Sequence, residues 1–192
     1  YVLGLGQPTK NCFTQDRTSV SVFFDSTYEI SEKLSLEFGY RYTDDEVSVI
    51  DFNSYARSAG DNVPLLAYIP YSDSDPFAKA ATVSTDSTNS SIKLGLNYVL
   101  DSGNLLYAKY SEGYRGAAIN GAAFYAIDEL SPVDEETVES IELGSKNILM
   151  DGRLRLNLAY FDNSWDDMQN YDFSFGPNGE VFQVLLNLPE VE

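Results

Sequence analysis

Histidine is absent from these 192 residues, and cysteine and tryptophan occur once each, as Cys12 and Trp165. Without histidine the commonest general base and metal ligand is gone, and no serine has an imidazole to activate it. One cysteine excludes a disulfide within these residues; it leaves a free thiol, or half of a bridge to a cysteine elsewhere. Basic residues are few, 12 against 30 acids, for a net charge of −18. Nucleic acid, which needs a basic footprint, is therefore not an expected partner. No apolar run approaches the roughly 20 residues that a membrane-spanning helix requires. That excludes a helical membrane protein and leaves a membrane β-barrel open, because barrel strands alternate and never look hydrophobic in bulk. Tyr1 opens neither a basic segment nor a long apolar core, so no signal peptide is expected here.

Aromatic residues are plentiful, 14% of the chain with 14 Tyr and 11 Phe. They fall in a two-residue rhythm, the period of a strand. From Ser19, residues Val20, Val22, Phe24, Tyr28 and Ile30 share one face, against Ser21, Asp25, Thr27 and Glu29, with Phe23 and Ser26 the exceptions. After a short turn at 31–33, Leu34, Leu36, Phe38, Tyr40 and Tyr42 alternate with Ser35, Glu37, Gly39, Arg41 and Thr43, which makes a hairpin. Ile92 to Leu100 and Leu105 to Arg115 flank a turn at 101–104. Thr137 to Leu149 and Leu154 to Tyr160 flank Asp151-Gly152, a strong hairpin signal. Glu180 to Leu188 reads as a seventh strand. Residues 1–18, 44–88, 116–136 and 162–179 read as loops.

Every second connection is long, so all the long ones lie at one end of an up-and-down sheet. Outer-membrane barrels are built this way, with short periplasmic turns and long extracellular loops. The apolar face carries Tyr28, Tyr40, Tyr42, Tyr98 and Tyr160 toward strand ends, the places of an aromatic girdle. The other face carries Glu37, Arg41, Lys93, Lys109, Glu142, Lys146, Arg153 and Arg155. Facing lipid at the midplane, each Lys or Arg costs about 2–4 kcal/mol, so that face is expected to line a wet lumen. The expected fold is all-β: an antiparallel up-and-down transmembrane β-barrel segment of about seven strands. A sheet in hydrocarbon must close, so residues 1–192 are expected to be part of a larger barrel, with strands missing on both sides.

Catalytic patterns fail on inspection. Gly4-x-Gly6 lacks the third glycine and following helix of a nucleotide loop. Asp73-Ser74-Asp75 lacks the glycine and closing glutamate of a calcium loop, and Asp166-Asp167 reads as solvated loop charge. No enzyme activity, resident cofactor or metal site is expected. The loops at 44–90, 116–136 and 162–180 carry net charges of −6, −5 and −5, nearly all of the chain's negative charge. An acidic rim keeps the protein soluble and repels anions, which disfavours a strongly anionic ligand; it also attracts cations, including divalent ions that bridge to lipopolysaccharide phosphates.

Three segments together resemble the TonB-dependent outer-membrane receptors: SVSVFFDSTYEISEKLSLEFGYRYTDDE, IKLGLNYVLDSGNLLYAKYSEGYRGAAIN and VDEETVESIELGSKNILMDGRLRLNLAYFDNSWDDMQ. The resemblance runs from about residue 19 to 170. It implies a 22-stranded barrel around an N-terminal plug, and import of a scarce solute: an iron–siderophore complex first, cobalamin or an oligosaccharide otherwise. It also implies energy supplied through TonB, which contacts an N-terminal region not among these residues, and a place in the bacterial outer membrane. The plug and the remaining strands are expected to lie outside residues 1–192. In that picture Cys12 sits in an extracellular loop before the first strand, paired with an upstream loop cysteine or free. Candidate ligand contacts are Arg115 and Asn120, at a strand-to-loop junction in GYRGAAIN, and Tyr125 and Trp165, loop aromatics able to stack on a sugar or catechol. The other readings are a soluble all-β carbohydrate-binding module and a passive outer-membrane porin.

Overall fold

The computed structural model describes residues 9–58, 61–64, 81–121, 130–175 and 181–191. In chain order the strands are β1 (Thr9–Glu29), β2 (Leu34–Ser58), β3 (Asp61–Pro64), β4 (Ala81–Val99), β5 (Leu105–Arg115), β6 (Ala118–Ile119), β7 (Pro132–Val133), β8 (Glu136–Leu149), β9 (Leu154–Phe175) and β10 (Val181–Val191). Seven of them form one sheet in the order β1-β2-β4-β5-β8-β9-β10, each antiparallel to its neighbours, with β3 paired to β2 off that path. The up-and-down plan and the seven strands match the sequence reading. Among the described residues there is no helix long and apolar enough to cross a membrane.

Register follows the alternation. Leu36 stands opposite Tyr28 on one side and Leu96 on the other; Leu96 faces Ala108, which faces Leu143, which faces Tyr160. This row lies on the outer face. Leu36, Phe38, Leu94, Leu96, Ile141 and Leu143 are all exposed, with no second layer of the described residues over them. On the inner face Glu37, Gly95, Lys109 and Glu142 stand opposite one another. The short turns are tight. Leu34 N–H and Asn104 O close their hairpins by backbone hydrogen bonds, and Lys33 pairs with Asp101 across two adjacent turns. Met150, Asp151 and Gly152 all take positive φ, the backbone that the Asp-Gly signal calls for.

The strands are much longer than expected, and most of the loop assignments are corrected. Residues 9–18 belong to β1, 44–58 and 81–88 to β2 and β4, and 162–175 to β9. Cys12 is a strand residue opposite Asn53, not part of a loop. A 25-residue strand such as β2 is about 80 Å long at ~3.3 Å per residue, whereas a tilted transmembrane strand uses about 9–11 residues. β2 is thus more than twice as long as a tilted transmembrane strand needs to be.

The reason for the misreading is a change of phase. From Leu34 to Tyr42 the apolar residues of β2 are the outer ones. From Thr43 onward the buried residues are Thr43, Asp45, Val47 and Val49, on the inner face, while Asp44 and Glu46 are exposed outside. A β-bulge follows: β2 carries one extra residue relative to both β1 and β4, with Asp51 at φ 55°. The extra residue turns Phe52 inward, where it is fully buried and stacked on Phe13 with centroids 5.7 Å apart.

Above Lys93 and Ser111 the β4–β5 pairing stops, although β5–β8 pairing continues to Arg115 and Glu136 and β2–β4 pairing to Phe52 and Ala81. The Glu112 carboxylate sits at this fork, accepting Ile92 N–H at 2.9 Å and the Tyr110 hydroxyl at 2.7 Å. Beyond the fork the two-stranded ribbon β6–β7 packs on the inner face, β6 against β2 and β4 and β7 against β4 and β10. The buried apolar residues gather there: Val47, Val49, Phe52, Ala117, Leu130, Val133 and Leu185.

Candidate functional site

In the lower half of the inner face the charges satisfy one another. Lys93 Nζ lies 2.7 Å from Asp25 Oδ2 and 3.7 Å from Glu37 Oε2. Asn97 Nδ2 donates to Glu37 at 2.8 Å, and the Tyr107 hydroxyl to Glu142 at 2.6 Å, with Lys146 Nζ 5.6 Å from the Tyr107 ring centre. Strand alternation alone puts these groups on one side, and their pairing lets them sit beside a lumen at little cost.

Higher on the same face lies an open cavity of about 670 Å³, lined by Arg17, Arg41, Lys93, Asp45, Tyr114 and Arg115 among others. Arg41 donates from Nη2 to Ser21 Oγ at 2.7 Å and from Nε to Thr43 Oγ1 at 3.3 Å. Arg17 Nη2 stands 3.6 Å from Asp45 Oδ2, and Arg115 Nη1 3.6 Å from Glu136 Oε2. Ser87 Oγ shares a hydrogen with the Tyr114 hydroxyl at 2.7 Å and accepts Ala117 N–H at 3.0 Å, tying the start of the ribbon to β4.

The ribbon itself is fastened by side-chain amides. Gln169 Nε2 donates to Gly116 O at 3.0 Å and Asp134 O at 2.9 Å. Asn187 accepts Asp134 N–H at 2.9 Å and donates to Asp134 O and Asp167 O. Asn120 Nδ2 donates to Gln183 O at 3.2 Å. Short polar side chains thus replace the strand pairing that a ribbon lying across a sheet cannot have.

The four residues singled out from sequence land in different surroundings. Arg115 is half-exposed or more and lines the cavity. Asn120 is fully buried in the packed ribbon. Trp165 is a strand residue of β9, opposite Val138 on the inner side of the sheet. Tyr125 lies outside the described residues. The structure places Arg115 beside Arg17, Arg41 and Asp45, three residues the sequence reading did not name as ligand contacts. Arg17 and Asp45 were hidden because their segments read as loop; Arg41 was visible as a lumen-facing charge. Among the described residues no group of three His, Cys, Asp or Glu is arranged to hold a metal ion.

The profile of the family described as TonB dependent receptor-like, beta-barrel matches residues 4–191. The chain belongs to that family. TonB-dependent receptor barrels are also what its fold resembles among solved structures. The ferric yersiniabactin uptake receptor FyuA from Yersinia pestis superimposes with a TM-score of 0.62 at 16% identity, over 84% of this chain and 22% of that one. The copper transporter OprC gives 0.60 at 16% identity, over 90% and 24%. The closed form of the ferric-catecholate import receptor Fiu from K12 E. coli gives 0.54 at 17% identity, over 88% and 24%. The chain spans under a quarter of the length of each of these receptors. At this identity the likeness carries the fold: a sector of a TonB-dependent receptor barrel wall, with the strand extensions and ribbon at one end.

Proposed function

We propose that the chain forms part of the wall of an outer-membrane active-transport receptor that imports a scarce solute and is energised through TonB. An iron–siderophore complex is the solute we favour, ahead of cobalamin or an oligosaccharide. Two of the three structural relatives named above are described as receptors for ferric complexes, and the third as a copper transporter. The observation that carries the reading is the sorted sheet. Its outer face bears Leu36, Phe38, Leu94, Leu96, Ile141 and Leu143 exposed among the described residues, and its inner face bears paired charges. In water such an outer face would be a large exposed apolar patch; in a bilayer lipid covers it. The edges β1 and β10 carry unpaired backbone groups that hydrocarbon cannot satisfy, so further strands of the parent protein close the wall.

In this reading the ligand lands on the extracellular extensions and passes inward when a plug within the lumen yields to TonB. The protein makes and breaks no covalent bond. The acidic extensions meet lipopolysaccharide through bridging cations. Arg115, Trp165 and Tyr125 remain candidate contacts for the ligand; Asn120 holds the ribbon that shapes the mouth. The test is uptake of labelled iron complexes, cobalamin and glycans by cells with and without the receptor, each in the presence and absence of TonB. Uptake of one of these solutes that needs both proteins is expected. Uptake that needs the receptor and not TonB would make it a passive porin, and recovery of the protein in the soluble fraction without detergent would make it a soluble binding module.

A further inference from the structure

Between β4 and β5 the wall comes apart without losing register. The ladder runs from Val99 opposite Leu105 to Lys93 opposite Ser111 with no shift. At its turn end Leu100 N–H bonds Asn104 O at 2.8 Å, and every second residue of an antiparallel strand repeats that direction. Ile92 is therefore the first β4 residue above Lys93 to turn its N–H toward β5, and the continued register sets Glu112 O as its acceptor. The actual acceptor, at 2.9 Å, is Oε2 of the Glu112 side chain. Farther up, the same register sets Ser87 opposite Ala117. There Ala117 N–H goes to the Ser87 hydroxyl, at 3.0 Å.

A third side chain lies in the gap. Alternation assigns Tyr114 to the outer face with Tyr110, yet its hydroxyl meets Ser87, the inner-face neighbour of Asp45, at 2.7 Å. Tyr114 therefore passes between the strands. Polar side chains thus stand at both ends and in the middle of a stretch, 87–92 against 112–117, where main chain could meet main chain. Both edges line the open cavity, Ser91 and Ile92 on one side and Glu112 to Gly116 on the other. Gln169 Nε2 holds Gly116 O at 3.0 Å, so the gap and the docked ribbon share an anchor.

We propose that this stretch is an expansion joint with two states. In the spread state, seen here, Glu112, Tyr114 and Ser87 space the strands and the ribbon is docked. In the zipped state the three side chains withdraw, and 112–115 pair with 89–92 in the register of the rungs below. No slip is needed, because the strands never left register. Zipping narrows the cavity from the seam side and draws Gly116 away from Gln169, so the ribbon lifts as the wall closes. The joint stands on the geometry of the two strands; the receptor reading adds only that the mouth it resizes admits a solute.

Disulfide trapping tests the joint in the detergent-solubilised receptor that carries this chain, freed of its native cysteines, Cys12 included. Asn89→Cys with Arg115→Cys makes a pair that the zipped register sets face to face, at a rung without mutual main-chain hydrogen bonds. Such Cα atoms come within about 4.5 Å, and a disulfide needs less than about 7 Å. Val99→Cys with Leu105→Cys gives the same kind of rung where the ladder is already paired. Under mild oxidation the 99–105 bridge is expected to form fast and the 89–115 bridge slowly. Glu112→Ala removes a charged acceptor from the gap, and is expected to speed the 89–115 bridge about tenfold while leaving 99–105 unchanged. Once 89–115 is bridged, the amides of Ser90 and Tyr114, which the zipped ladder pairs, exchange more slowly with solvent. Failure of 89–115 to bridge while 99–105 does overturns the joint. So does a bridge that leaves both amides exchanging as before, and so do equal 89–115 rates with and without Glu112→Ala. The 99–105 bridge reports in each background that the strands are folded. None of these readouts needs transport, so absence of TonB-dependent uptake would remove the receptor reading and leave the joint standing.

Discussion

The lower and upper halves of β2 keep one register and reverse their polarity. From Leu34 to Tyr42 the apolar side chains face out and the polar ones in; from Thr43 to Phe52 the dry side is the inner one. The backbone pairs with β1 and β4 in both halves. What differs is the medium. Where lipid covers the outside, the outer face is apolar and needs no protein partner. Where water covers the outside, the wall must make its own core, and it does so on the inside with the β6–β7 ribbon. The main buried cluster of the described residues accordingly lies in the upper half, while large apolar residues of the lower half remain exposed on the lipid side.

This contrast breaks most sharply at Phe52. Phe52→Ala removes a fully buried ring and its stacking on Phe13, a loss of about 3–5 kcal/mol. Limited proteolysis of the receptor in detergent is expected to open the extensions and spare the lower strands; cleavage in both halves at once would show that they are not separately stabilised. The next largest effect comes from the lipid side. Leu96→Arg costs about 2–4 kcal/mol in a bilayer, whereas Glu46→Arg, outside on the extension, stays within about 0.5 kcal/mol. Unfolding midpoints in vesicles compare the two, and equal costs would contradict a membrane boundary near Tyr42.

A third change probes the ribbon. Gln169→Leu takes the side-chain donor from buried Gly116 O, while Asp134 O keeps Asn187 Nδ2, a loss of about 1–3 kcal/mol. Faster hydrogen exchange at Asn120 N–H, which bonds Ser131 O, is its expected mark, with no change at Leu96. The smallest effect belongs to the exposed pair at the short turns. Lys33→Ala is expected to change stability by about 0–1 kcal/mol, since exposed ion pairs are weak; a larger loss would mean that the turns, not the strands, hold the lower half together.

Sequence pattern revealed the lower half because a single rule governs it. Val22, Phe24, Leu36, Phe38, Leu94 and Leu96 alternate without a break, and the Asp151-Gly152 turn announces itself. The upper half obeys the same period with the opposite sign. An alternation that passes from Tyr42 to Val47 through three acids, Asp44, Asp45 and Glu46, looks like an ending. Polar strands such as 81–89 have little side-chain signal of any kind, and only pairing with β2 marks them as strands. The bulge at Asp51 erases the phase again before Phe52. The same blindness hid the cavity. Arg115 was visible at a junction, but Arg17 and Asp45 come to its side only through the β1–β2–β4 pairing of segments that read as loops.

The most direct measurement places single spin labels at positions 94 to 98 of a Cys12-free receptor in lipid vesicles. Access of oxygen, which dissolves in lipid, is compared with that of a water-soluble nickel chelate. Oxygen access is predicted to peak at 94, 96 and 98 and chelate access at 95 and 97. Labels at Leu94 and Leu96 that are shielded from oxygen, or reached by the chelate, would contradict the lipid-facing wall.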